Sequence, residues 1–208
     1  MDNRERRDQQ LAYIADEAVF KEILQARKLV QEYNRTDCCD FESLAVQMNA
    51  LLGSAGQDCV ITQPFYCDYG KHIHMGNRVF LNYGCTVIDV AEVHFGDNVL
   101  LAPNVSVYTA GHPIHPVARN SGYEYGLPVT IGSNVWIGGN AVICPGVTIG
   151  DNTVIGAGSV VVKDIPSNVV AVGNPCRVIR SITDDDLRYC FGRQPFDEEA
   201  LQNILATQ

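Results

Sequence analysis

A six-residue period that begins at Ile131 constrains the fold of this chain more than any other feature. An aliphatic residue opens each hexad, and a small or β-branched residue stands four places later. Two upstream hexads, from Phe95 and from Leu101, fall in the same phase. A period of six suits neither an amphipathic helix nor an alternating strand, and it is typical of a solenoid. The five successive hexads are IGSNVW, IGGNAV, ICPGVT, IGDNTV and IGAGSV.

The period predicts an all-β solenoid, a parallel β-helix whose triangular coil uses one hexad for each face. We expect the opening aliphatic residue to point inward and to stack on its counterpart in the next coil, about 4.8 Å away. The glycine that often follows it is expected to supply the backbone freedom that a corner requires. A sandwich of short strands would instead show turn signals every eight to twelve residues or so, without a fixed phase.

The ends of the chain have a different texture. Apolar residues recur at helical spacing over residues 8–33 and again from Phe41 to Leu52, which predicts two helices, the second capped by Thr36 or Asp40 and ended by Gly53. We therefore divide the chain into an N-terminal helical segment, a β-helix and a C-terminal extension with a short helix. These parts span residues 1–56, 57–182 and 183–208, and the β-helix is interrupted by a loop at 109–128.

Composition narrows the function classes. The net charge of −9 argues against nucleic acid or an anionic membrane surface as the main partner. No apolar run is long enough to span a bilayer and no signal peptide is evident, so we expect a cytoplasmic protein. The eight cysteines contain no CxxC pair, which favours reduced and mostly buried thiols over a metal site. Residues 129–180 are the one stretch that is not acidic, and their only cations are Lys163, Arg177 and Arg180.

The loop at 109–128 contains the strongest candidate for chemistry. A long loop inserted in a regular solenoid is usually functional. His112 lies in it between Gly111 and Pro113, where the main chain can hold an imidazole rigidly. A histidine can accept a proton from an alcohol near neutral pH. Since the chain has no G-x-S-x-G elbow, P-loop or Rossmann fingerprint, direct attack by a substrate with a histidine base is the simplest enzymatic scheme.

Several motifs resemble those of a known family. The hexads, the TAGHP run at 109–113, the NVWIG run at 134–138 and the GNPCRVIR run at 173–180 look like the hexapeptide-repeat acyltransferases. Within that family the chain is similar to the maltose and galactoside O-acetyltransferase branch, and residues 66–70 and 119–122 look closer to the maltose type. The resemblance implies a left-handed β-helix, acetyl-CoA as co-substrate and a maltose- or glucose-like sugar as acceptor. It also implies a homotrimer with active sites between subunits, and no metal, nucleic-acid or membrane partner.

The resemblance also implies roles for individual residues. His112 matches the general base, and Asn82 matches the asparagine beside it that steadies the acceptor or the developing charge. The positions that match sugar-binding or cleft-lining residues are Asp16, Asp68, Asn82 and Trp136. The N–H of Gly139 matches a donor next to the acetyl group. The remaining positions that match contacts to the cofactor are Ala157, Val162, Lys163, Arg177 and Arg180.

Three positions depart from the family pattern, and all of them concern the acceptor. Val90 stands where the galactoside type has an acceptor-binding aspartate, so that contact is either missing or moved to Asp89. Phe80 stands where a tyrosine is common, and Glu124 stands where the galactoside type has a methionine. The identity of the sugar is therefore open. Two other readings stay open from the residues: a zinc lyase similar to the gamma-type carbonic anhydrases, and a β-helix scaffold without catalysis.

Overall fold

The computed structural model describes residues 1–207 and consists mainly of a triangular prism of stacked coils. Strands are numbered in chain order. The first face contains β2 (Ser54–Ala55), β5 (Ile73–Met75), β8 (Val93–Phe95), β13 (Val129–Ile131) and β16 (Thr148–Ile149). The second contains β3 (Val60–Ile61), β6 (Phe80–Leu81), β9 (Leu100–Leu101), β14 (Trp136–Ile137), β17 (Val154–Ile155), β19 (Val169–Val172) and the antiparallel β20 (Arg177–Ser181). The third contains β4 (Tyr66–Cys67), β7 (Thr86–Ile88), β10 (Ser106–Tyr108), β15 (Val142–Ile143) and β18 (Val160–Val161).

The remaining elements lie outside the prism. A small antiparallel sheet contains β1 (Tyr13–Ile14), β11 (Ala110–Gly111) and β12 (Tyr123–Gly126), and a hairpin contains β21 (Tyr189–Phe191) and β22 (Gln194–Pro195). The α-helices are α1 (Asn3–Asp8), α2 (Glu17–Tyr33), α3 (Phe41–Leu51), α4 (Pro116–Asn120) and α5 (Glu198–Leu205), and a 3₁₀ helix spans Asp184–Arg188. No helix within the described range 1–207 is both long enough and apolar enough to cross a bilayer.

The opening residues of the hexads form the core of the prism. Ile131 pairs with Ile149 on the first face, and Ile137 pairs with Ile155 on the second face. All four side chains are buried. The residues four places after each opening position are also buried at the corners, namely Val135, Ala141, Val147, Thr153 and Ser159. The predicted inward stacking in a parallel β-helix is confirmed.

The glycine that follows the opening residue has a different purpose from the predicted one. Gly138 does not adopt a left-handed φ, but a Cβ there would lie 2.5 Å from the main-chain nitrogen of Ala157 in the next coil. Glycine is therefore needed for close approach between coils. The first two coils place Asp58 and Arg78 in the left-handed corner between the first and second faces, and the next four coils place asparagines there. Their φ angles are 56, 59, 55 and 62° at Asn98, Asn134, Asn152 and Asn168.

Outside the prism, the structure corrects several predicted boundaries. The first long helix begins at Glu17, not at residue 8, because α1 and β1 precede it. The carboxylate of Asp40, not Thr36, caps α3, and the helix ends at Leu51. The loop at 109–128 has its own structure, since it contains β11, α4 and β12. Three of the eight cysteines are buried, so the expectation of mostly buried thiols was wrong.

Candidate active site

The predicted site residues lie along two of the three edges of the prism. We call the turns that follow β3, β6, β9, β14 and β17 the 2–3 edge, and the turns that follow β4, β7, β10, β15 and β18 the 3–1 edge. Asn82, Gly139 and Ala157 lie on the 2–3 edge, in the coils of β6, β14 and β17. Asp68, Val162, Lys163 and the loop that contains His112 lie on the 3–1 edge.

Small residues line the 2–3 edge in the coils of β14 and β17, and we call this stretch the trough. Gly139 and Gly156 are partly exposed and Ala157 is exposed, whereas Gly138 is buried beneath them. Trp136 stands beside the trough on the second face, with 53% of its surface exposed. Within the described chain, the N–H of Gly139 donates to no protein acceptor. This edge can therefore hold an extended ligand and offer a main-chain donor to an oxyanion.

Asn82 lies two coils away from Gly139 on the same edge. Its side chain is partly buried, and its Oδ1 accepts a hydrogen bond from the N–H of Tyr83 at 2.8 Å. No contact within residues 1–207 engages its Nδ2. The carbonyl oxygen is thus used to orient the side chain, and the two amide hydrogens remain available as donors.

His112 lies on the 3–1 edge in a position that the small antiparallel sheet determines. It follows β11 directly, and Gly111 of that strand pairs with Tyr125 of β12. A Cβ at Gly111 would lie 2.5 Å from the Tyr125 hydroxyl oxygen, so any other residue there would displace the end of the Tyr125 side chain. The other side of β12 pairs with β1, where Tyr13 is opposite Glu124. The N-terminal segment therefore takes part in holding the loop whose imidazole is exposed to solvent.

Asp68 borders a cavity of about 440 Å³ on the 3–1 edge. Burial raises the pKa of this carboxyl above its ordinary value, the positive charge of Arg27 opposes that rise, and the negative charge of Glu124 adds to it. Arg27 was missed by sequence reasoning, because it lies in the middle of α2 and only the packing of that helix brings it near Asp68. The cavity is lined by Arg27, Val30, Gln31, Asn34, Arg35, Tyr66, Cys67, Asp68 and Ile88.

Asp16 is already engaged within the chain. Its Oδ1 accepts from the N–H groups of Ala18 and Val19, both at 3.1 Å, which caps α2. Its Oδ2 accepts from the Nδ2 of Asn3 at 2.9 Å. Hydrogen bonds from Asn3 and from the main chain lower the pKa of Asp16. This carboxylate is therefore ionised and fixed in place, with only its remaining lone pairs open to a ligand.

The departures from the family pattern are now located. Val90 is buried with Tyr13, Val19 and Tyr69 in an apolar cluster beneath the N-terminal segment. Asp89 is fully buried, so the alternative that it takes over the contact missing at Val90 is wrong. Phe80 lies on the outer surface of the second face, in the row that includes Trp136.

The predicted cofactor cations differ in how they are engaged. Arg177 begins β20 opposite Val172, at the end of the 2–3 edge, and Lys163 is exposed on the 3–1 edge. Neither forms a salt bridge within the described part of the chain. Arg180 is held by Asp186, with both oxygens of the carboxylate 2.8 Å from its two Nη atoms. This contact lowers the pKa of Asp186 and neutralises the charge of Arg180 locally.

One chain does not bring the two groups of residues together. Asn82 and His112 lie at opposite borders of the third face, whose three-residue strand β10 alone spans about 10 Å at the usual rise of a β-strand. Their side chains share no hydrogen bond within residues 1–207. Within one chain, the third face therefore separates the predicted residues of the 2–3 edge from those of the 3–1 edge.

The stacked hexads, the small-residue trough and the inserted histidine loop define a parallel β-helix protein with a binding edge. The family model described as bacterial transferase hexapeptide (six repeats) matches residues 128–163. The galactoside O-acetyltransferase of Escherichia coli strain K12 is 46% identical over 175 residues, which cover 84% of this chain and 86% of that protein. The chain belongs to the hexapeptide-repeat acetyltransferases.

Solved structures agree with this assignment. The structure of a maltose O-acetyltransferase from Clostridium difficile 630 has a TM-score of 0.87 and 51% identity, covering 88% of this chain and 99% of that one. A galactoside acetyltransferase in complex with coenzyme A has a TM-score of 0.91 and 42% identity, covering 95% and 100%. The predicted left-handed β-helix and the family resemblance are both confirmed.

Proposed function

We propose that the protein transfers the acetyl group of acetyl-CoA to a hydroxyl group of a maltose- or glucose-like sugar, in a site formed between two copies of a homotrimer. The observation that carries the proposal is the division of the predicted site between the 2–3 edge and the 3–1 edge of one prism. The names of the two solved relatives, which refer to maltose, galactoside and coenzyme A, support the substrate classes.

The proposed reaction is a direct transfer. The oxygen of a sugar hydroxyl forms a bond to the thioester carbonyl carbon while His112 accepts the hydroxyl proton, and the carbonyl oxygen becomes an oxyanion. The N–H of Gly139 donates to that oxyanion, and the amide of Asn82 steadies the acceptor. When the C–S bond breaks, the proton on His112 passes to the sulfur of coenzyme A. A general base of this kind typically contributes about 10²- to 10⁴-fold to the rate.

The cofactor is proposed to lie along the 2–3 edge. Gly139 and Ala157 place no bulky side chain in the way of the narrow pantetheine arm, and Trp136 offers an apolar surface beside them. The phosphate groups need cations, and the chain as a whole is acidic. Arg177 supplies one from this edge, while Lys163 supplies another from the 3–1 edge of the neighbouring copy.

The acceptor is proposed to bind where the histidine loop meets the N-terminal segment. The carboxylates of Asp68 and Asp16 suit neighbouring sugar hydroxyls, because a carboxylate accepts hydrogen bonds from two donors side by side. The cavity beside Asp68 gives the sugar a place on the same edge as His112. For the zinc lyase reading, no histidine within residues 1–207 belongs to a group of three potential ligand atoms close to one another.

Closed threefold symmetry explains how both edges are used. If the 3–1 edge of each chain meets the 2–3 edge of the next, three copies close into a ring with three equivalent sites. The outward row on the second face is apolar at Val60, Leu100 and Trp136, each about half exposed in one chain, and it borders the 2–3 edge. Such a row is costly to leave in water and suits a covered interface.

Mixing two inactive variants tests this proposal. His112→Ala and Asn82→Ala are each assayed with acetyl-CoA and a panel of sugars by following the free thiol of coenzyme A, and each is expected to lose most activity. After joint refolding, roughly a quarter of the interfaces should combine an intact His112 with an intact Asn82, because the two chains are drawn at random. Activity should rise accordingly. No rise after mixing would show that each site lies in one chain, and no thiol release by the wild type with any sugar would refute the reaction.

A further inference from the structure

A buried carboxyl group lies next to the proposed acceptor site without contacting solvent. Asp89 is fully buried in the turn after β7, on the 3–1 edge. Its Oδ1 accepts from the N–H of Asp68 at 2.9 Å and from the N–H of Tyr69 at 2.8 Å. Its Oδ2 has no hydrogen-bond partner within the described chain. The Asp89 carboxyl in the second coil is therefore bonded to the main chain of the first coil, in the turn that contains Asp68.

The other side of the same turn is tied to the histidine loop. Thr109 is buried and begins that loop. Its hydroxyl donates to the carbonyl oxygen of Ile88 at 2.7 Å and accepts from the N–H of Ala91 at 2.9 Å. The turn that carries Asp89 is thus bonded to the Asp68 turn on one side and to the start of the His112 loop on the other.

A third contact holds the main chain of Asp89 itself. The Nδ1–H of His72 donates to the carbonyl oxygen of Asp89 at 2.6 Å, and this imidazole is buried too. The guanidinium group of Arg7 lies over the ring of Tyr69 and is paired with Asp8 and Glu22. The carboxyl of Asp89 therefore has no ion-pair partner among the described residues, and its hydrogen bonds go to main-chain N–H groups.

We infer that Asp89 is a positioning residue for the acceptor site. Its carboxyl oxygen fixes the main chain at Asp68 and Tyr69, and so holds the Asp68 carboxylate in register with the loop that carries His112. The inference rests on the proposed function, because it takes Asp68 as a group that faces the sugar. Two N–H groups that converge on one oxygen define the path of a turn more narrowly than a single bond would.

Three variants test this inference. Asp89→Asn keeps an oxygen that accepts from both N–H groups, whereas Asp89→Ser is too short to reach them. Thr153→Val is the matched control, because Thr153 is equally buried and its hydroxyl bonds to Pro166 on the remaining edge, far from both site edges. We expect Asp89→Ser to raise the KM for the sugar about tenfold or more, with the KM for acetyl-CoA changed less than about twofold. Asp89→Asn should restore a sugar KM near that of the wild type.

The result that overturns the inference is an equal change in both KM values for Asp89→Ser, or the same split in Thr153→Val. Amide hydrogen exchange provides a second measurement that does not depend on turnover. Asp89→Ser should speed exchange at Asp68 and Tyr69, and Thr153→Val should not; unchanged protection at these two amides would refute the positioning role. If the wild type transfers no acetyl group to any sugar, the proposed function fails, while the exchange experiment still decides what Asp89 holds.

Discussion

Asparagine at position 89 should make the protein more stable, and the gain should be larger at pH 8 than at pH 5. The carboxyl of Asp89 is fully buried, and burial raises its pKa from 3.8 to about 7 although the N–H groups of Tyr69 and Asp68 oppose the rise. A carboxyl whose pKa is higher in the folded state binds a proton that the unfolded chain has released. The contribution of Asp89 to the free energy of unfolding is therefore fully present below the pKa of the unfolded chain. It is lost as the pH rises through the pKa of the folded state.

The size of the effect follows from the two pKa values. One pKa unit corresponds to about 1.4 kcal/mol, so the folded state carries a cost of about 2 kcal/mol at pH 5 and about 4 kcal/mol at pH 8, where the loss is complete. Asparagine stays neutral at both pH values and keeps the oxygen that accepts from the two N–H groups. The variant should therefore exceed the wild type by roughly 2 kcal/mol more at pH 8 than at pH 5.

Urea unfolding measures this difference directly. Wild type and variant are compared at pH 5 and pH 8 at the same protein concentration, because an oligomer's apparent stability depends on concentration. Asp40→Asn is the control: its carboxylate caps α3, and hydrogen bonds from Ser43 lower rather than raise its pKa. Its difference from the wild type should not grow between the two pH values. An Asp89→Asn advantage that is equal at both pH values, or smaller at pH 8, would refute the raised pKa of the buried Asp89 carboxyl.

Three further predictions concern the trough, the base and the C-terminal contact. His112→Ala should lower kcat about 100-fold or more with little change in the KM for acetyl-CoA, and an unchanged kcat in the thiol assay would exclude it as the base. Gly138→Ala should lower the free energy of unfolding by about 1–3 kcal/mol, because its Cβ would press on the next coil. Gly158→Asn should be tolerated, because the left-handed φ of 69° suits asparagine and the space there is open. Asp186→Asn should free Arg180 and lower the KM for acetyl-CoA a few-fold, less so at high salt, and a higher KM would contradict this role.

The repeat made the prism predictable because one period determines three things together. An aliphatic residue every six positions, as at Ile131 and Ile137, fixes which side chains face inward, how the coils register and where the corners fall. The hexad period does not predict the turn at 89–91, where the side chain of Asp89 is buried and Val90 packs under the N-terminal segment. Packing between segments that are distant in sequence decides those orientations, and the hexad period does not predict that packing.

The sequence named the candidate site residues, but it did not predict how they are arranged. The resemblance supplied Asn82 and His112 as partners, and only the topology assigns them to opposite borders of one face. Two residues thirty positions apart can share an edge or be separated by a face, according to how many residues each corner takes. The coils also differ in length, with paired positions 20 residues apart at Phe80 and Leu100 but 18 apart at Trp136 and Val154, so the edge must be read from the fold.

The three edges of the prism use different residues because they serve different purposes. On the edge between the first and second faces, a left-handed asparagine in each of four coils donates its amide to the next, at 2.9 Å from Asn98 to Asn134, from Asn134 to Asn152 and from Asn152 to Asn168. Asparagine satisfies the backbone geometry and adds a continuous ladder that glycine could not supply. On the 2–3 edge the left-handed residues are Gly84, Asn104, Asn140 and Gly158, and no side-chain hydrogen bond joins Asn104 to Asn140 within the described chain. The edge on which we propose that the cofactor lies thus lacks the ladder that ties the coils together between the first and second faces.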